Sequence, residues 1–187
     1  MSTDTREAIM GAARAAVQTS GYTALSFREL AKDVGIKSAS VHYHFPTKGD
    51  LATALAARYA DEAQAYLAEL LESQQSHDQL LDTYVAVFRA ALERDNRMCL
   101  CGMMAAEYDE LPDSARVEVE RFTAVNTDWL EKVFSSRHPK ASAEKRHARA
   151  LAIFAAIEGA QLVARGRGNI AFFDQIIAAY KDAGLFS

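Results

Sequence analysis

The sequence predicts an all-α protein, and three observations support this fold class. The 187-residue chain contains 36 alanines but only nine glycines and three prolines, a composition that favours helices. Half of the residues are apolar, and they recur at helical spacing in segment after segment. No segment alternates apolar and polar residues in the way that a half-buried strand does.

The first two helices are predicted close to the N-terminus. Apolar residues recur at helical spacing over residues 4–20, and Gly21 fits the position just after the end of that helix. Ser26 and Glu29 have the S-x-x-E spacing of a capping box. A second, short helix is therefore expected to begin at Ser26 and to end near Gly35.

A third helix and a long fourth helix follow. Ser38 is predicted to cap the third helix, which covers residues 39–45. Pro46 ends it, because proline disfavours the helical conformation in the residue before it. The fourth helix is expected from about residue 48 to residue 73.

Five further helices are predicted in the rest of the chain. They are expected at roughly 76–94, 97–108, 112–136, 142–165 and 169–182. Pro112 stands at the first position of the seventh helix, where proline is well tolerated because its missing N–H has no helical partner.

Composition also sets expectations about the environment of the protein. Two cysteines are too few for a disulfide framework, and the first residues lack the regions of a signal peptide. The most apolar stretch, residues 150–164, is too short for a membrane span and is interrupted by Glu158 and Gln161. The five histidines have no metal-binding spacing with the cysteines. A cytoplasmic protein without a metal or cofactor is therefore expected.

Charge is distributed unevenly along the chain. The formal net charge of −4 speaks at first against nucleic acid as a partner. Residues 1–50, however, contain six Lys or Arg and five Asp or Glu, a net charge of +1, whereas residues 51–187 have a net charge of −5. An N-terminal segment of different sign suggests a task different from that of the rest.

The second and third helices form a candidate helix-turn-helix. Gly35 allows the tight turn between them, because a side chain would clash where the chain reverses. The third helix is then expected to present polar side chains outward. Short polar side chains near the start of a helix can approach base edges in a major groove. An ordinary helical corner is the alternative interpretation of this pattern alone.

Residues 5–52 carry a more specific pattern. The runs SGYTALSFRELA, at 20–31, and GIKSASVHYHFPTKGDL, at 35–51, resemble the N-terminal signature of the TetR family of transcriptional regulators. The segments GMMAAEY, at 102–108, and EGAQLVAR, at 158–165, are similar to recurrent features of the C-terminal domain in one branch of that family.

The resemblance implies an all-α homodimer of about nine helices per chain. It implies a three-helix DNA-binding head with a helix-turn-helix at residues 1–47, and a helical ligand-binding and dimerisation domain at residues 48–187. The third helix would enter the major groove of an operator in double-stranded DNA. The residues implied as base readers or groove contacts are Lys37, Ser38, Ala39, Ser40, His42 and Tyr43. The residues implied on the phosphate side are Thr23, Ser26, His44, Thr47 and Lys48.

Dimerisation is also expected on physical grounds. One short recognition helix gives limited affinity, whereas two copies related by a two-fold axis recognise a palindrome. The last two helices supply the candidates for the dimer interface, which are Leu151, Phe154, Ala155, Glu158, Leu162, Phe172, Phe173, Ile176, Ile177 and Tyr180. Filling the core of the monomer is the alternative role for these residues, and a pocket carboxylate is the alternative for Glu158.

A ligand pocket is expected between the helices of the C-terminal domain, where helical bundles build such sites. A ligand would favour an arrangement in which the two heads no longer fit the operator. The candidate lining residues are Phe88, Cys99, Met103, Met104, Tyr108, Phe122, Trp129 and Gln161. Ordinary core packing is the alternative for each of them.

Cys99 and Cys101 suggest a second kind of signal. If Asn96 caps the sixth helix, Cys99 lies in its first turn, near Arg94 and Arg97. The helix dipole and these cations would then favour the thiolate, which motivates a thiol-reactive signal. Two small buried hydrophobic residues are the alternative.

The sequence therefore predicts a ligand-responsive repressor that binds a palindromic operator and is not an enzyme. Its effector is an unidentified small molecule or, alternatively, a thiol-reactive signal. The rival hypothesis is a small helical thiol-dependent enzyme that uses Cys99 or Cys101. The chain lacks the C-x-x-C motif and the phosphate-binding loop that would support such an enzyme.

Overall fold

A computed structural model describes residues 2–187, and this part of the chain contains helices and no strands. The nine α-helices are α1 (Ser2–Ser20), α2 (Phe27–Val34), α3 (Ser38–His44), α4 (Lys48–Glu72), α5 (His77–Glu93), α6 (Leu100–Ala106), α7 (Asp113–Arg137), α8 (Ala143–Gly166) and α9 (Ala171–Asp182). A short 3-10 helix, Tyr108–Glu110, follows α6. The all-α prediction is confirmed. None of the helices in this range combines the length and the hydropathy that a membrane span requires.

The predicted capping interactions at the starts of α2 and α3 are wrong. Ser26 is the N-cap of α2 by its extended backbone, but its side chain accepts no hydrogen bond, so the predicted capping box does not form. Glu29 instead accepts a hydrogen bond of 2.8 Å from Lys32 one turn later. Lys37 rather than Ser38 is the N-cap of α3, because Ser38 already has helical geometry. Spacing alone shows where a cap is allowed, and side-chain rotamers decide whether it forms.

The chain packs into two compact units. The first consists of the residues up to Asp61 together with Leu100–Phe122, and the second consists of Glu62–Cys99 together with Thr123–Ser187. The long helices α4 and α7 contribute to both units. These units are defined by packing. The division into functional domains after residue 47 is a different one, and it stays a prediction.

Each unit has its own apolar core. In the first unit, Ile9, Leu30 and Leu51 are at most 1% exposed, so α1, α2 and α4 each contribute a buried apolar side. The core of the second unit is built from aromatic and branched residues of α5, α7, α8 and α9. Its largest fully buried side chains are Tyr84, Leu81, Leu130, Phe134, Ile153, Ile157 and Phe173. Burial of this apolar surface is the main stabilising contribution in each unit.

Candidate nucleic-acid interface and effector site

The corner between α2 and α3 is tight because Gly35 has a positive φ of 74°, which side-chain-bearing residues rarely adopt. The Gly35 N–H donates to the Lys32 carbonyl at 3.1 Å, and the Ile36 N–H donates to the Ala31 carbonyl at 2.9 Å. These two bonds end α2 with its last carbonyls satisfied. The turn therefore fixes the direction in which α3 leaves α2.

Helix α3 has one buried side and one exposed side. Val41 is fully buried and Phe45, just after the helix, is 2% exposed, so both anchor the helix to the first unit. Tyr43 on the opposite side is 81% exposed. Of the other predicted readers, Lys37, Ser38, Ala39 and His42 are exposed and Ser40 is half-buried. The exposed face of α3 is thus the face to which the DNA contacts were assigned.

His42 is exposed but not free to swing. Its ring packs edge-on against Phe27 of α2, with 4.8 Å between the ring centroids. Its Nδ1 atom lies 3.5 Å from the carbonyl oxygen of Pro46. This arrangement orients one ring edge of His42 outward and restricts its rotamers, which lowers the entropy lost when a ligand contacts it.

Lys48, predicted on the phosphate side, ties the start of α4 to the turn after α1. Its Nζ atom donates to the Thr23 carbonyl at 2.8 Å and lies 4.4 Å from the centroid of the Tyr22 ring. Such a cation over an aromatic face is held in place electrostatically. Lys48 therefore positions the predicted phosphate contact Thr23, which is exposed.

Thr47 is engaged at the start of α4. Its hydroxyl donates to Asp50 Oδ2 at 2.8 Å and accepts the Asp50 N–H at 3.0 Å. The Thr47 N–H also donates to Asp50 Oδ2, at 2.9 Å. Thr47 thus acts as a reciprocal cap, which fixes the first turn of α4 beside the end of α3. His44 and Ser26, the remaining predicted phosphate-side residues, are half-buried.

Glu107 was missed as a site residue, although it holds the same turn. Its carboxylate accepts the backbone N–H of Tyr22 and, at 3.2 Å, the N–H of Thr23. A Cβ atom at Gly21 would lie 2.8 Å from Glu107 Oε2, and Gly21 has a φ of 87°. Glycine is therefore favoured at position 21 by backbone conformation, and a side chain there would also displace the Glu107 carboxylate. A signal existed in the sequence, because Glu107 belongs to the segment that resembles the family.

The predicted effector residues fall into both units. Met103, Met104, Tyr108 and Phe122 belong to the first, whereas Phe88, Cys99, Trp129 and Gln161 belong to the second. In the first unit, Phe122 packs its ring 5.0 Å from that of Tyr59, and Tyr108 is 55% exposed. The four residues of the second unit are all buried.

An aromatic cluster, formed by Tyr84, Phe88, Trp129 and Phe154, lies within the second unit. The Tyr84 ring stacks on Trp129 at 4.9 Å between centroids and meets Phe88 edge-on at 5.3 Å. Phe88 in turn meets Phe154 edge-on at 6.3 Å. Such arrangements are favourable because the edge of one ring is positive and the face of the next is negative.

Buried polar groups accompany the aromatic cluster. Gln161 is fully buried, accepts the backbone N–H of Cys99 at 2.9 Å and donates to the Phe88 carbonyl at 2.8 Å. The Tyr84 hydroxyl donates to Asn126 Oδ1 at 2.9 Å. Sequence reasoning missed Tyr84 and Asn126, because their spacing is that of ordinary core positions.

Glu158 supplies a carboxyl group to the same region. Burial raises the pKa of the Glu158 carboxyl to about 7. The thiol of Cys99 donates a hydrogen bond to this carboxyl group, which lowers the pKa by less than burial raises it. Among the described residues, Glu158 Oε1 and Trp129 Nε1 are buried polar atoms without a hydrogen-bond partner. The side chain predicted for the dimer interface therefore turns its carboxyl group inward, which favours the alternative role of a pocket carboxylate.

The predicted surroundings of Cys99 are wrong. Asn96 has a positive φ of 55° and is not an N-cap, and α6 begins only at Leu100, so Cys99 precedes the first turn. Arg97 forms its ion pair with Asp95 at 3.0 Å. Cys99 and Cys101 are 1% and 2% exposed. Cys99 therefore lacks the position in the first turn that motivated a thiolate, and its thiol is hydrogen-bonded to the carboxyl group of Glu158.

The predicted dimer residues divide by burial. Phe173 and Ile177 are buried within their own chain, at 1% and 5% exposure. Leu151, Leu162 and Tyr180 are 41%, 59% and 38% exposed, Ala155 is exposed, and Phe154, Phe172 and Ile176 are half-buried. The exposed members on α8 belong to a continuous apolar stripe at helical spacing, formed by Ala148, Leu151, Ala152, Ala155, Gly159, Leu162 and Val163.

Comparisons with known proteins agree with this geometry. The family model described as "Bacterial regulatory proteins, tetR family" matches residues 9–55, which contain the α2–α3 corner. Among curated proteins, none matches the sequence significantly.

Solved structures extend the similarity over the whole chain. A TetR transcriptional regulator from Legionella pneumophila is 30% identical, with 95% of each chain covered and a TM-score of 0.88. A TetR-family regulator from Agrobacterium tumefaciens is 28% identical, covers 94% of this chain and 95% of its own, and has a TM-score of 0.87. The reduced form of NemR from E. coli is 19% identical over 96% of both chains and shares the fold, with a TM-score of 0.81. The chain belongs to the TetR family of transcriptional regulators.

Proposed function

We propose that this regulator is a ligand-responsive repressor that binds a palindromic operator as a homodimer and is released by a small molecule. The observation that carries the proposal is the two-sided character of α3, on which Val41 is fully buried and Tyr43 is 81% exposed. A helix anchored on one side and polar on the other suits the major groove. The readers would be Lys37, Ser38, Ala39, Ser40, His42 and Tyr43.

Dimerisation is the second part of the proposal. Residues 1–50 have a net charge of only +1, so electrostatic attraction to phosphate contributes modestly and two recognition helices are needed for specific affinity. The apolar stripe of α8 supports an interface, because a monomer would leave Leu162 at 59% exposure and Val163 at 45%. A second copy of the chain would cover this stripe.

The effector is proposed to bind at the aromatic cluster. Its flat rings suit an apolar, planar ligand, and the two buried unpartnered atoms define its polar groups. Glu158 Oε1 calls for a hydrogen-bond donor such as an amine or amide, and Trp129 Nε1 calls for an acceptor. A thiol-reactive signal at Cys99 is the second candidate, favoured by the hydrogen bond through which Glu158 can accept the thiol proton.

The DNA part of the proposal is tested by selecting bound fragments from a random duplex library with the full-length protein. A palindrome should be enriched, and its affinity should fall as salt rises. Tyr43→Ala should weaken binding to all selected duplexes, whereas Ser40→Ala should change base preference. Tyr66→Ala, which removes an exposed tyrosine from α4, is the control. No enrichment of any sequence would contradict the proposal.

The effector part is tested on the selected operator with a panel of planar amines and amides and with a small maleimide. If an amine releases the wild-type protein and Cys99→Ser from the operator but does not release Glu158→Gln, the first candidate is supported. If the maleimide releases the wild-type protein but does not release Cys99→Ser, the second candidate is supported. Unchanged responses in both variants would exclude the aromatic cluster and Cys99 as the effector site.

A further inference from the structure

A groove in the second unit lies at the connection between α7 and α8. It has a volume of about 640 Å³ and is lined by the end of α7, the connecting segment and the start of α8. Six of its nine lining residues are basic or histidine, namely Arg137, His138, Lys140, Lys145, Arg146 and Arg149. The other three are uncharged. A volume in this range suits a small molecule.

The positive charge of this segment contrasts with the rest of the sequence. Residues 134–149 contain five Lys or Arg and one acidic residue, Glu144, a net charge of +4 in a chain of net charge −4. The remaining residues therefore carry a net charge of −8. Glu144 is not among the residues that line the groove. Five cations at one helix connection repel one another, which is unfavourable.

Most of these cations are not neutralised by carboxylates within the described part of the chain. Arg137 pairs with Asp78 at 2.8 Å. Arg149 donates to the carbonyl oxygen of Gly184 at 3.2 Å and to a backbone oxygen of Ser187 at 2.5 Å. Arg146 donates to the Ala141 carbonyl. The carbonyls of Ala141 and Gly184 are neutral, so these two bonds hold the guanidinium groups in place without removing their charge.

Lys140 and Lys145 complete the charged lining. Neither has a carboxylate within 4.0 Å among the residues that the structure describes. The groove thus combines two lysines with two guanidinium groups, Arg146 and Arg149, whose positions are fixed by backbone carbonyls. Fixed guanidinium groups suit the planar oxygen pairs of phosphate and carboxylate, and lysines add point charges.

We propose that this groove binds a small, freely diffusing polyanion that carries two or more phosphate or carboxylate groups. Concavity favours a small molecule over a nucleic acid or a membrane, which would need an extended surface. The inference is independent of operator binding and of the aromatic cluster, because it uses residues of neither. The regulator would then have a second ligand site. This site binds anions, whereas the proposed site at Glu158 binds a hydrogen-bond donor such as an amine.

The test is calorimetric titration of the full-length protein with pyrophosphate, citrate and ATP at low salt. Lys145→Glu should weaken binding of at least one of these probes by about tenfold or more, because it removes one cation and adds a repelling anion. Lys132→Glu is the matched control, since Lys132 is an exposed lysine of α7 outside the groove. It should change the affinity by less than about twofold. Equal thermal unfolding of the two variants without ligand shows that both fold.

Three outcomes would overturn the proposal. The first is that the wild-type protein binds none of the probes at millimolar concentration. The second is that Lys145→Glu and Lys132→Glu weaken binding equally, which would indicate general attraction to a charged surface. The third is that Lys145→Glu weakens binding of a random-sequence DNA duplex as much as it weakens binding of the probes. This result would assign the basic residues to nucleic acid.

Discussion

The side chain of Gln161 joins two segments that are distant in sequence: it accepts the N–H of Cys99 at 2.9 Å and donates to the carbonyl of Phe88 at 2.8 Å. Phe88 lies within α5 and Cys99 just before α6, and both residues are buried, so water does not readily replace the amide of Gln161. A single glutamine therefore connects α8 to α5 and to the residue before α6. This connection lies beside the aromatic cluster proposed for the effector.

Replacing Gln161 by leucine should destabilise the protein by about 1–3 kcal/mol, because the buried N–H of Cys99 loses its acceptor and the Phe88 carbonyl keeps only its helical donor. Chemical denaturation at fixed protein concentration measures this change in the free energy of unfolding. Gln175→Leu is the control, since Gln175 is exposed on α9. Equal stability of the two variants would show that the N–H of Cys99 finds another partner.

Glu158 should make stability depend on pH. Burial raises its pKa from an ordinary value of 4.5 to about 7, so the folded protein holds this proton more tightly than the unfolded chain. The resulting stabilisation is complete below pH 4.5 and is lost as pH rises to about 7. Relative to Glu158→Gln, the wild-type protein should lose on the order of 3 kcal/mol over this range.

Urea denaturation at several pH values between 5 and 8 would measure this difference. Glu144→Gln provides the control, because Glu144 is exposed on the same helix and should leave the pH dependence of the wild type unchanged. A stability difference between wild type and Glu158→Gln that is constant with pH would contradict the raised pKa.

Glu107→Ala should weaken operator binding by about tenfold, although Glu107 lies outside the predicted head at residues 1–47. The variant leaves the N–H groups of Tyr22 and Thr23 without their acceptor, and the turn that carries Thr23 should loosen. Fluorescence anisotropy with the selected operator measures the affinity. Asp109→Ala, at an exposed acidic position two residues later, should bind as the wild type does. If both variants keep wild-type affinity, the carboxylate has no role in positioning Thr23.

Leu162→Asp should convert the protein from dimer to monomer. The substitution places a charge near the C-terminal end of the apolar stripe of α8, and burying this charge in an interface without a partner is costly. Sedimentation velocity measures the mass in solution. Val117→Asp removes an equally exposed apolar residue, 60% exposed, from α7 and should leave the mass unchanged. A dimeric Leu162→Asp variant would place the interface elsewhere.

Much of the fold could be predicted because helix-forming composition and helical spacing act locally. The nine helices and the Gly35 turn follow from short-range signals, since only glycine adopts that backbone conformation readily. The wrong caps at Ser26 and Ser38 show the limit of the same signals. Spacing restricts which hydrogen bonds can form. Side-chain geometry decides that Glu29 pairs with Lys32 and does not complete the capping box with Ser26.

The candidate site was harder to predict, because its key contacts join residues that are distant in sequence. The bond from Glu107 to Tyr22 spans 85 residues, and that from Gln161 to Cys99 spans 62. Periodicity places Glu158 on an apolar helix but does not show whether its carboxyl group turns inward. The prediction for the surroundings of Cys99 was wrong for a related reason. Asp95 and Asn96 have positive φ, so α6 begins later than its spacing suggested.

The first unit is assembled from two separate stretches of chain, and this has a consequence for protein engineering. A chimera that takes only residues 1–47 from this regulator would leave behind Glu107, which satisfies the turn after α1, and Pro112, whose ring lies against Gly49. A transplant of its operator preference onto another regulator should therefore carry residues 100–122 as well. The DNA-binding head is portable as a three-dimensional unit and not as a sequence fragment.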